Sequence, residues 1–442
     1  MRTPLLLLLV LACNPGKTGA GADSTPSGDG GAAEADSGAP TDSGEDGGDG
    51  GEDDGGSADG GTSGDGGDTG DGGAGGALDL VWEDVSPSDG PVGCMGQLYR
   101  ASTTAISEGG LALVDVELPA GRGFQVVARA ADPSDQPLFY RADGPDGTVA
   151  VTADDWWSET ELLSTGFWPL GEVGAFNWPI RQEDAPFEGG RWQLYLGVVD
   201  SSGNWADGAA LSVDVYVNDD DDLDEACLYA RVVTATGVVA DVGEARLGDA
   251  VTRWEEVYAA VGITLIATRE TSGLSARLPQ PAIGDTTYET LSGGGAPHQL
   301  VVVIGESVDG SGTTLGQSGG IPGPLTAGPR TAVAASWLLH AGSDGSLSEA
   351  EAGYLGETLA HEAGHYLGLF HPIDFNADYS VGWTDALDDT STCSGGFEAC
   401  GAVLGENLMF PYAWCLSGGD CTAQDDLSVD QAAVLQRSAG VL

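Results

Sequence analysis

Two periods of apolar residues divide the chain. Between about residues 78 and 217 the period is two. Leu211, Val213, Val215 and Val217 alternate with Ser212, Asp214 and Tyr216, and the same alternation runs through Trp192, Leu194, Leu196 and Val198 and through Phe124, Val126 and Ala128. Strands with one buried face read this way. Turn-formers such as Asp143-Gly144-Pro145-Asp146-Gly147 separate the runs, and no helical period interrupts them. An antiparallel β-sandwich is the architecture predicted for residues 78–217.

From Cys227 the pattern changes. Leu228 to Val239 reads as a strand, and Leu247, Ala250, Val251, Trp254, Val257, Tyr258 and Val261 then fall on one face of a helix. Ile263–Ala267, Gln299–Ile304 and Thr331–Leu339 read as further strands, the second a continuous apolar run suited to a buried position. A last helix opens on a capping box, Ser348 with Glu351 three residues on. The order β-α-β-β-β-α predicts an α+β region over 225–442, a mixed sheet with helices against it. Asn218 to Asp224, the acidic run NDDDDLD between the two regions, reads as a solvated linker. It lacks the glycine that lets a calcium loop turn.

Composition alters the picture mainly at the N-terminus. Arg2 and the apolar run Leu5–Ala12 are far too short to span a bilayer but suffice for an export signal over 1–12. Val10-Leu11-Ala12-Cys13 resembles a bacterial lipobox, which implies lipidation at Cys13 and an outer-membrane or cell-surface lipoprotein, with simple secretion as the alternative. Residues 14–76 hold 24 glycines, 15 acids and no aromatic residue, so they cannot bury enough apolar surface to offset their ordering entropy. Residues 13–77 are expected to form a disordered tether. A net charge of −54 excludes nucleic acid as a natural partner, and leaves a membrane only through the lipid anchor. Nothing in the sequence sets an oligomeric state.

The chemistry lies on the last helix. His361 and His365 are four apart, so both can turn a nitrogen to one metal ion, and Glu362 lies beside that face. Gly368 allows the turn that ends the helix, and His371 is placed as third ligand. Three neutral imidazoles suit zinc and leave a fourth position for water, the arrangement of a catalytic site.

The motif His361-Glu362-x-x-His365-x-x-Gly368-x-x-His371 resembles that of the metzincin zinc metallopeptidases. Asn407-Leu408-Met409 resembles the family's methionine turn, with Met409 beneath the metal. Asp385-Ala386-Leu387-Asp388-Asp389-Thr390-Ser391-Thr392-Cys393 is similar to the GDxVxDTPxxC segment of the pappalysin-like group. Cys415, Leu427-Ser428 and Gln431 are similar to that group's C…FTxxQ ending. Thr384 and Ser391 depart from the pattern. So does Pro411, which stands where the family has a tyrosine, with Tyr412 one place later. The resemblance covers about residues 225–442 and implies a metzincin-type catalytic domain hydrolysing protein or peptide substrates. Zinc on His361, His365 and His371 would activate water, with Glu362 as general base and Tyr412 as oxyanion stabiliser. It also implies an edge strand, expected within Thr331–Leu339, that pairs with extended substrate.

Asp374, Asn376 and Asp378 have the alternating oxygen spacing of calcium ligands. Calcium there, with Asp385, Asp388 or Asp389 nearby, is one expectation and a solvated acidic loop the other. Six cysteines besides Cys13 imply three disulfides in an exported protein. Cys393, Cys400, Cys415 and Cys421 would staple the lower part of the site, which leaves Cys94 for Cys227. The rival, Cys94 as a metal-blocking thiol, would leave Cys227 unpaired. The tryptophans of the sandwich region, Trp156 and Trp157 least explained among them, keep open a different function: a catalytically silent surface adhesion or glycan-binding lipoprotein.

Overall fold

The computed structural model describes residues 78–442 except 95, 148, 152–160, 163–171, 220–225, 237, 239–240, 276–294, 309–312, 326–331, 377 and 415–420. The leader with Cys13, the tether, Trp156, Trp157, Trp168 and Cys415 therefore lie outside the described residues. No helix among those described is long and apolar enough to cross a membrane.

In chain order the first strands are β1 (Glu83–Asp84), β2 (Leu98–Ile106), β3 (Leu111–Leu118), β4 (Gly123–Ala130), β5 (Gln136–Asp143), β6 (Val149–Val151), β7 (Glu161–Leu162), β8 (Val173–Trp178), β9 (Gly190–Val199) and β10 (Ala210–Asn218). Nine of them make two antiparallel sheets, β1-β2-β10-β4-β8 and β3-β9-β5-β6. Phe124 packs against Phe176, Phe187 and Trp192 between them, so the alternation seen in the sequence does mark the interior.

One face of the first sheet departs from the simple pattern. Tyr216, an outward position by alternation, is fully buried, and so are Gln125, Val127 and Asn177 on the same or neighbouring strands. The outer face is covered by the rest of the molecule. Asn218 is buried as well, its Nδ2 donating to Val441 O at 2.7 Å, so the start of the supposed solvated linker belongs to β10. A single hydrophobic core runs from the sandwich into the following region.

That region follows as β11 (Ala226–Thr236), α1 (Asp241–Ala259), β12 (Ile263–Ser275), β13 (Gln299–Gly305), β14 (Gly316–Gln317), β15 (Ala332–Ser336), α2 (Trp337–Ala341), α3 (Glu349–Leu367), β16 (Ile373–Phe375), β17 (Val381–Asp385), α4 (Phe397–Leu404) and α5 (Val429–Arg437). The sheet order is β12-β11-β13-β15-β14, parallel except for β14. The edge beside the site is therefore β14 rather than Thr331–Leu339. Residues 332–336 are an inner strand whose chain turns into α2 at Trp337, where Ser336 caps the helix. Two residues in a glycine-rich stretch carry no readable period, which is why β14 escapes the pattern.

Below α3, β16 and β17 form a hairpin, and β7 pairs in parallel with β17. Cys94 is bonded to Cys227 and Cys393 to Cys400, which removes Cys94 as a free thiol. Cys421 is also disulfide-bonded.

Candidate metal centre

The helix that carries the motif is anchored at both ends. Ser348 and Glu351 exchange both hydrogen bonds of a capping box, and Gly368, at φ 123°, ends α3 with its N–H shared by the carbonyls of Gly364 and His365. The turn brings His371 back beneath the helix. Nε2 of His371 lies 3.1 Å from Nε2 of His365 and 3.3 Å from Nε2 of His361. Among the described residues this is the one group of three His, Cys, Asp or Glu side chains whose ligand atoms converge.

The outer nitrogens decide what the inner ones offer. Nδ1 of His361 faces Leu408 O at 2.6 Å, Nδ1 of His365 faces Leu369 O at 2.6 Å, and Nδ1 of His371 faces Asp374 Oδ1 at 2.8 Å. Each partner can only accept, so the proton of each neutral ring sits on Nδ1 and the lone pair on Nε2. Burial and the neighbouring imidazoles hold His361 down at about 3 and His365 well below its ordinary value, so both are neutral near pH 7. With Nε2 of His371 this close to those of His365 and His361, a cation placed among the three would be held by all of them. The donor set, all imidazole, fits zinc.

Met409 is fully buried under this group. A Cβ on Gly364 would stand 2.7 Å from its sulfur, so the helix rests directly on the thioether. Asn407 Oδ1 accepts from the Met409 N–H at 2.9 Å, which fixes the turn that presents Leu408 O to His361.

Glu362 lies against β14. It is 2 % exposed, Ser318 N–H donates to its carboxylate, and Oε2 has no partner among the described residues. Burial raises it to about 8. Gly316 of β14 lies against it, since a Cβ there would come within 2.6 Å of Glu362 Cγ. Sequence reasoning did not find Gly316 or Ser318, and no local signal marks them.

The remaining residues are engaged elsewhere. Tyr412 packs its ring on Phe375 and Phe397 in a small aromatic cluster below the histidines. Asp374 accepts from His371 Nδ1, Asn376 Nδ2 donates to Ser380 Oγ at 3.0 Å, and Asp378 accepts from Ser380 Oγ at 2.6 Å. These are the contacts of a hairpin turn. Asp374, expected as a calcium ligand, orients a histidine instead. Asp389 accepts from Ser428 Oγ and from the Asp430 N–H at the start of α5. Asp385 is buried, accepts from Thr390 Oγ1 at 2.6 Å, and is raised to about 7 by burial.

No protein-family model matches the sequence, and no curated protein does either. Solved structures resemble parts of it. Metalloproteinase-II from Bacteroides fragilis is 13 % identical, with 51 % of this chain and 62 % of that one covered and a TM-score of 0.27. Archaemetzincin from Methanopyrus kandleri is 15 % identical over 33 % of this chain and 76 % of its own, with a TM-score of 0.24. The chain thus spans about three fifths of the first of these. Likenesses this slight bear no weight. The site itself does: three imidazoles whose ligand atoms converge closely enough that they could hold a metal ion, with the buried Glu362 next to His361 in the chain.

Proposed function

We propose that this protein is a zinc-dependent endopeptidase of the metzincin type, exported and tethered at the cell surface through Cys13. One observation carries the reading. Three Nε2 lone pairs converge next to Glu362, a carboxylate that is no part of the ligand set and keeps one buried oxygen without a partner among the described residues.

His361, His365 and His371 would hold the zinc. When bound, zinc polarises a scissile carbonyl and makes water a stronger acid. The chain's own part is positioning and proton transfer. Glu362 Oε2 is free to take a proton from the attacking water and return it to the leaving amine, while the Ser318 N–H keeps the carboxylate facing the site. The edge at β14, laid over Glu362, is where an extended peptide would add to the sheet, through main-chain bonds that read little of its side chains.

The silent glycan-binding reading has no comparable support. Trp178 and Trp192 are core residues, and Trp156 and Trp157 lie outside the described residues. The test is a digest of a denatured peptide library by the zinc-loaded chain, with Glu362→Gln as its pair. New peptide ends made by the wild type alone are expected. Identical patterns from both proteins, each holding one zinc, would overturn the reading.

A further inference from the structure

The segment after β14 runs along the site helix. Ser318 donates to Glu362, the Gly323 N–H donates to Tyr366 O at 2.8 Å, and the Tyr366 hydroxyl donates to Pro324 O at 2.5 Å. Glu362 and Tyr366 are four apart and share a face of α3, so residues 318–325 follow that face from the carboxylate to the end of the helix. The backbone at Gly323 lies flat on the Tyr366 ring, where a Cβ would approach to 1.9 Å.

The other side of this segment is fastened by the sandwich. Gln125 of β4 accepts from the Leu325 N–H at 2.6 Å and donates to Gly323 O at 3.1 Å, so its amide pairs with the loop as a strand's peptide group would. It also donates to Asn177 Oδ1 at 2.9 Å, and Asn177 Nδ2 reaches Leu367 O at 3.4 Å. Both amides are buried. Buried polar groups with every partner in place fix geometry, and losing one leaves the others unsatisfied. The histidines need none of this, since their ring protons end on Leu408, Leu369 and Asp374.

We propose that Gln125 and Asn177 are positioning residues for Glu362: they hold residues 318–325 against α3 so that Ser318 stays on the carboxylate. The β-sandwich is then a working part of the hydrolytic site and not a removable pro-segment. The proposal rests on the peptidase reading, and two readouts separate them.

The full chain is compared with Gln125→Met, of similar volume without the amide, and with Gln125→Glu, which keeps an oxygen for Leu325. Zinc bound per chain is expected to be equal in all three. Amide exchange at Ser318 and Leu325 should quicken by about tenfold or more in Gln125→Met, with α3 and the sandwich strands unchanged. Its kcat should fall about tenfold with KM little altered, and Gln125→Glu, which sets an acceptor against Gly323 O and Asn177 Oδ1, should lose at least as much. Should Gln125→Met fail to fold, Asn177→Ala gives the same comparison from the other end of the network. Unchanged exchange, or faster exchange with wild-type kcat, overturns the proposal. A wild type that cleaves nothing defeats the peptidase reading, while the exchange data still decide whether the sandwich holds the segment.

Discussion

The two halves of the candidate metal site are held in opposite ways. The histidine half is local: its outer nitrogens find partners 47, 4 and 3 residues away. The carboxylate half is global. Glu362 leans on Ser318, and that segment is pinned by Gln125 from 198 and 200 residues upstream. A local site depends on one helix and the turns beneath it. A global one depends on the whole core staying closed, so metal binding and catalysis should fail separately when the molecule is perturbed.

The largest separation is expected from Glu362→Gln. Loss of the proton acceptor should lower cleavage by about 10²–10⁴-fold while zinc content stays at the wild-type level. A variant that also lost its zinc would mean that the two halves are one unit, and the comparison would collapse.

Next in size is the link between the regions. Replacing both Cys94 and Cys227 by serine removes a cross-link spanning 133 residues, and should cost about 2–5 kcal/mol in urea unfolding. Because the core is continuous, a single transition should remain. Two transitions would show the sandwich melting by itself, and would remove the physical basis for its hold on Glu362.

What the sequence could show follows the same division. Periods of two and of 3.6 marked the sandwich strands, α1 and α3, because burial on one face is written into every second or every fourth residue. The three histidines could be grouped from the sequence because helix geometry and one tight turn bring near neighbours together, whereas Met409 was reached only through the family resemblance of Asn407-Leu408-Met409. Gln125 carried no such mark. At an outward strand position it looks like any solvated residue, and only the docking of α3 and residues 318–325 buries it. Tyr216 was misplaced for the same reason. Asp374 was legible as an oxygen donor but not in its partner, since an alternating acidic loop reads alike whether it binds calcium or orients a ring.

A buried histidine outside the site sharpens the contrast at lower pH. His340 bridges Ser336 O at 2.6 Å and Thr358 Oγ1 at 2.9 Å, so both ring nitrogens have protein partners, unlike those of the trio. Burial lowers it to about 4, against the smaller opposing pull of Ser336 O and Glu351. The unfolded chain takes up this proton near 6.5 and the folded one only near 4. Its contribution is therefore whole above pH 6.5 and is lost as the pH falls from there to 4, by about 3 kcal/mol in all. Unfolding of metal-free wild type and His340→Gln across that window isolates it, because the trio titrates equally in both. A variant as acid-sensitive as the wild type would place the loss elsewhere.

The smallest expected effect falls within the histidine half. Nδ1 of His361 and of His365 hydrogen-bonds to a neutral carbonyl, whereas that of His371 hydrogen-bonds to the Asp374 carboxylate, so it alone has an acidic side chain to strengthen it as a ligand. Asp374→Asn keeps an oxygen in reach of Nδ1 and removes only the charge. Zinc affinity, read by competition with a chromophoric chelator, should weaken by about 10–100-fold. Amide exchange at Ser318 and Leu325 should not change, since nothing in the carboxylate half touches Asp374. Exchange that quickened there would join the two halves through β16, and Glu362 would then owe its setting to the metal ligands as much as to the sandwich.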